Sequence, residues 1–134
     1  MELTLNIMIS LLAGVVAGIH SGVVVARMAK FEELRNQIKR VIRSIDYFYS
    51  SDSPPRVNSH KDISELLYLS SDLYALKHCL AGDKAASLSQ SVSAVLYSPP
   101  TEFEEMDSIY LEWQKICREL KPNLRVIFSL RPWV

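Results

Sequence analysis

Three histidines, two cysteines and one acidic cluster are the side chains best suited to chemistry, and their spacing forms no known catalytic pattern. Cys79 and Cys117 lie far apart without metal-ligand spacing, on the apolar side of expected helices. Both therefore read as small buried thiols suited to a reducing, cytoplasmic location, with a single disulfide as the alternative. His60 stands at an expected helix start beside Lys61 and Asp62, and His78 near a helix end beside Cys79, as capping or surface residues do. Glu102, Glu104 and Glu105 suit the positive end of a helix dipole, which accounts for them without a ligand. The chain contains no P-loop, dinucleotide-binding glycine pattern, Gly-x-Ser-x-Gly elbow or zinc-ligand pair. It is expected to be no enzyme, to carry no cofactor or metal and, with a formal net charge of zero, to bind no nucleic acid.

His20 differs, because it sits inside an apolar run. Residues 3–26 carry no full charge and would form a helix of about 36 Å, enough for a hydrocarbon core of about 30 Å. The first charge is acidic and Arg27 stands where a cleavage motif would fall, so the segment reads as a retained transmembrane helix over residues 1–26. Arg27, Lys30, Arg35, Lys39, Arg40 and Arg43 all follow it, placing the N-terminus outside and the C-terminal part in the cytoplasm of a cell (inner) membrane. Arg27, Lys30, Arg35 and Lys39 are expected to meet lipid headgroups.

Ser10, Gly14, Gly18, Gly22 and Ala26 recur every fourth residue and make a small-residue ridge with two overlapping Gly-xxx-Gly units. Lipid gives helices no hydrophobic reason to associate, so close backbone approach over such a ridge predicts helix–helix packing. Asn6, Ala13, His20 and Arg27 recur every seventh residue as a more polar stripe. In an oligomer, Asn6, Ser10, Ala13, Ala17 and His20 could line an aqueous path.

Beyond the span, Phe31, Leu34, Ile38, Val41, Ile45 and Phe48 follow 3-4 spacing, which predicts a membrane-proximal amphipathic helix over 27–49. Its seam zips against other copies or packs in its own chain. The Ser- and Pro-containing stretch 50–58 reads as a loop, and 59–134 as a cytoplasmic helical bundle. Ser59 with Asp62 and Thr101 with Glu104 resemble capping arrangements; Gly82 reads as a helix-ending glycine and Asp83 as the next cap. The tail from Leu124 to Leu130 is a short strand or an extended strap, with Trp133 as an interfacial anchor. The expected fold is all-α: one transmembrane helix continuing into a bundle of about four helices, with a short extended C-terminal segment.

Arg35, Asn36 and Arg40 resemble part of the Arg-polar-xxx-His motif of HEPN-type helical domains, with Arg40 where the histidine should stand. That resemblance implies a degenerate helical domain without RNase activity. The leading expectation is a homo-oligomeric membrane protein in contact with lipid, in its sharper form a membrane-perturbing or pore-forming effector such as those of antiphage defence. The alternative class is a membrane-tethered adaptor that binds a protein partner.

Overall fold

The computed structural model describes residues 2–50 and 53–131, so Trp133 lies outside the described residues. The described residues are mostly helical, at 74%. Its dominant element is a single helix, α1 (Glu2–Arg43), without a break at the predicted membrane boundary. From Val23 to Arg43 no glycine or proline interrupts it.

The two halves of α1 have opposite surroundings. Its second half drives Phe31, Leu34, Ile38, Val41 and Ile42 into the chain's own core, so the seam packs intramolecularly. Each such side chain contributes about 1.5–3 kcal/mol relative to exposure. Its first half touches almost nothing: Leu5, Leu12, Val16 and Ile19 are all exposed, and none of the most apolar window is buried. By length and composition it is a candidate membrane span.

The all-α expectation fails between residues 45 and 59. Here α1 stops at Arg43, and Ser44 turns its amide and hydroxyl onto the Val41 carbonyl at 3.1 and 2.7 Å. The chain then forms an antiparallel hairpin, β1 (Ile45–Ser50) and β2 (Ser53–Ser59), with Tyr47 opposite Val57 and an irregularity between Phe48 and Ser50. Tyr47 and Tyr49 turn inward against Phe103, whereas Phe48, expected in the helical seam, is exposed. Isolated hairpins are marginal. This one is fastened by the Tyr47 hydroxyl donating to Asp107 at 3.0 Å and the Tyr49 hydroxyl donating to the Pro100 carbonyl at 2.8 Å. A two-stranded sheet has only edges, which is where proline is tolerated; this admits Pro55 to β2.

Three helices complete the bundle: α2 (Ser64–Ala75), α3 (Cys79–Tyr97) and α4 (Phe103–Glu119). Asp62, not Ser59, receives the Ser64 amide at 2.9 Å at the start of α2. Lys77 takes the left-handed conformation (φ 63°) after α2, the role expected of Gly82. Gly82 instead lies within α3, starting four residues before Asp83, where its missing side chain lets the Tyr74 ring pack against the backbone. The Thr101–Glu104 box does not form: the residue capping α4 is Glu102, without a side-chain hydrogen bond. Leu66, Leu88, Met106 and Trp113 fill the core, with the Trp113 indole N–H donating to Ser91 at 2.9 Å. The tail forms a one-turn helix, α5 (Leu124–Ile127), not a strand, capped by Asn123, which accepts from the Arg125 amide at 3.1 Å.

Candidate functional site

The residues singled out by the sequence fall in three places. The small-residue ridge is bare. At Gly14, Gly18 and Gly22 nothing lies within 4 Å of where a side chain would begin, and Ser10 and Ala26 are exposed. Ser21 beside the ridge donates its hydroxyl back to the Gly18 carbonyl at 3.0 Å, so its polar group is satisfied within the helix.

The polar stripe is different, because the tail reaches it. Ala13, Val16, Ala17 and His20 share a shallow concavity with Leu130, and His20, Val24 and Arg27 are half-buried where neighbouring positions are open. Asn6 and Ser10 lie beyond its reach and are exposed.

The predicted headgroup-binding residues separate. Arg27 is committed inside the chain: its guanidinium donates to the carbonyls of Val126 at 2.8 Å and Ser129 at 2.7 Å, and also to Arg131. Val126 lies in α5, where its carbonyl also accepts the Ser129 amide at 3.3 Å, and Ser129 and Arg131 follow the helix, where carbonyls have left the helical ladder. Arg35 likewise donates to the Arg118 carbonyl at 3.0 Å at the end of α4, while pairing with Glu32 at 3.1 Å. Lys30 pairs with Glu33 at 2.9 Å on the surface, which raises its pKa, chiefly through that hydrogen bond. Lys39 borders an open groove with Arg43, Gln114 and Arg118.

The chain matches no family model, no curated protein and no solved structure.

Sequence reasoning missed the junction where α1 leaves the bundle. His78, expected as a capping or surface residue, stands at the N-cap position of α3 without a side-chain cap bond and is buried, with its ring edge-on to Phe31 at 4.9 Å. Its Nδ1 accepts the Asn123 amide at 3.0 Å, and burial holds its pKa below the ordinary histidine value. Asn123 also donates to the Lys77 carbonyl at 3.3 Å. The α2–α3 turn and the tail are thus joined and set against Ala26, Arg27 and Lys30. No sequence signal reveals this junction: Leu73, Leu76 and Leu80 keep helical spacing straight through the α2–α3 turn.

The cysteines also separate: Cys117 is buried, Cys79 exposed, and both are free. Burial pushes the Cys117 thiol up to about 11, which keeps it protonated and unreactive at neutral pH. Among the described residues no cluster of His, Cys, Asp or Glu could hold a metal.

Proposed function

We propose that the chain is a single-pass membrane protein, N-terminus outside, whose span self-associates through Ser10, Gly14, Gly18, Gly22 and Ala26 and so assembles the cytoplasmic bundle. The observation that carries this reading is the bare ridge on an otherwise uncovered apolar helix. A cylinder about 10 Å across and 36 Å long presents on the order of 1,000 Å² of apolar surface, whereas soluble monomers rarely expose patches beyond a few hundred Å². Lipid answers for most of that surface. It does not account for three glycines at four-residue spacing, each destabilising a helix by about 1 kcal/mol relative to alanine in water, but another helix does.

Assembly by itself is the function supported best; membrane perturbation, as in antiphage defence, is its sharper form. For the aqueous path that form requires, the tail would have to leave the His20 stripe, which it now half-covers, and the copies would have to meet through more than the ridge, because at about 100° per residue His20 faces away from Gly18 and Gly22. The experiment is cross-linking and mass measurement of the full chain in lipid nanodiscs, for wild type and for Gly18→Leu with Gly22→Leu. Wild-type oligomers that collapse in the variant support self-association. A monomeric wild type sinks it, and a variant of unchanged mass removes the ridge as the interface.

A further inference from the structure

At the junction just described, the bundle presents an end that its own core does not cover. Leu80 is 81% exposed, Leu124 58%, Phe128 58% and Leu130 80%. Leu80 and Leu124 border one groove, together with Lys121 and Arg125 and with Lys84 and Glu119, whose opposite charges pair with each other at 2.9 Å. Residues 76–82 and 120–131 contain four basic side chains, Lys77, Lys121, Arg125 and Arg131, and no acidic one, in a chain whose net charge is zero. All four are exposed.

This end abuts α1 at Ala26, Arg27 and Lys30, where the apolar half of the helix finishes. Leu130 extends further, onto the flank formed by Ala13, Val16, Ala17 and His20. The tail backbone is equipped for such a place. Carbonyls beyond the end of α5 would ordinarily be left to water, but here Arg27 supplies donors to Ser129 and Arg131, and a second donor to Val126. Backbone groups at membrane depth need internal partners because lipid offers none.

We propose that this face, built from the α2–α3 turn and the tail, docks onto an anionic bilayer surface. Leu80, Leu124 and Phe128 sit at the acyl boundary, Leu130 reaches past it along the span, and Lys77, Lys121, Arg125 and Arg131 meet the phosphates. The inference rests on the reading that α1 spans the membrane, which fixes this end at the headgroup level. It assigns lipid contact to a face remote in sequence from the basic stretch of α1. Each basic side chain near an anionic surface favours docking by about fivefold, and the aliphatic and aromatic side chains add an interfacial term that does not depend on lipid charge.

The test uses the full chain with Cys79→Ser and Cys117→Ala, carrying one nitroxide label at Leu124, Phe128, Val16 or Tyr97. It is reconstituted in nanodiscs of phosphatidylcholine with or without phosphatidylglycerol. Relative access of oxygen and of a water-soluble nickel chelate reports depth. The Leu124 and Phe128 labels should become oxygen-rich and nickel-poor when phosphatidylglycerol is added, while Tyr97, at the far end of α3, stays in water. Lys77→Gln with Arg125→Gln should weaken the preference for anionic lipid by about 25-fold, from two fivefold steps. Hydrogen exchange of the unlabelled chain over residues 124–129 should slow with the same lipid change, which guards against disruption by the label. If Val16 lies in lipid but Leu124 and Phe128 remain nickel-accessible in both compositions, the docking face is wrong and the span stands. If Val16 is itself in water, both fall. Labels shielded from both reagents whatever the lipid would mean that another protein covers the face, which also overturns the proposal.

Discussion

Replacing Arg27 by lysine keeps its charge, and with it the topology signal, but removes the planar fork. Arg27 reaches the carbonyls of Val126 at 2.8 Å and Ser129 at 2.7 Å, and that of Arg131, from two nitrogens. A lysine ammonium at the same place satisfies one of them well, so about two charge-assisted bonds are lost. Such bonds contribute about 1.5–3 kcal/mol each when shielded. Arg27 is half-buried, so halving that figure gives about 2 kcal/mol for the pair, or about 30-fold in the opening of the tail. Amide hydrogen exchange reads this directly, because the amides of Ile127 and Phe128 are held by the carbonyls of Asn123 and Leu124 at 3.1 and 3.0 Å. In Arg27→Lys these two amides should exchange about 30-fold faster, while core amides around Val92 and Trp113 stay as slow as in wild type. Unchanged exchange at Ile127 and Phe128 would refute the assignment of Arg27 as the clamp of the tail.

The same substitution at two glycines should have opposite consequences for folding. A side chain at Gly82 meets the Tyr74 ring at 3.0 Å, so Gly82→Leu should destabilise the bundle by about 3 kcal/mol, whereas Gly18→Leu, with open space around it, should leave its thermal midpoint unchanged. Equal midpoints for the two variants in calorimetry would contradict this. The pH dependence follows from His78, whose pKa is depressed by burial while its Nδ1 holds Asn123. The unfolded chain then binds a proton that the folded chain resists, so the stability associated with this site is intact above the ordinary histidine value of about 6.5 and declines as pH falls below it. Thermal unfolding from pH 8 to pH 5 should show that decline, and His78→Phe should abolish the part due to this group; an unaltered profile in the variant would assign the decline elsewhere.

What the sequence made visible was periodicity. The apolar run, the 3-4 seam through Val41, and the inward positions Leu66, Leu73, Leu88, Val92, Met106 and Trp113 were readable because burial on a helix repeats with its turn. The hairpin was hidden by an ambiguity: Ile45 and Phe48 continue the helical spacing, yet Ile45, Tyr47 and Tyr49 also alternate as a strand does. Tertiary packing against Phe103 and Tyr110 decides between the two, and no local signal contains it. Gly82 was misplaced because glycine is enriched both after helices and where side chains press on a backbone, while Lys77 took the left-handed turn without being glycine. The ridge residues were legible as a pattern, and their open surroundings are what the fold adds. The engagement of Arg27 with carbonyls about a hundred positions away could not be inferred from charge patterning, which treats every arginine near a span alike.

Continuity of α1 has a steric consequence. With about 100° of rotation per residue, the direction of Gly14, Gly18 and Gly22 carries on through Ala29, Asn36 and Arg40, all of them exposed. Phe31, Ile38 and Ile42 point the opposite way, toward the rest of the fold. Each molecule therefore wears its globular mass on the back of the rod, and two rods can lie front to front along their whole length with the bulky parts splayed outward.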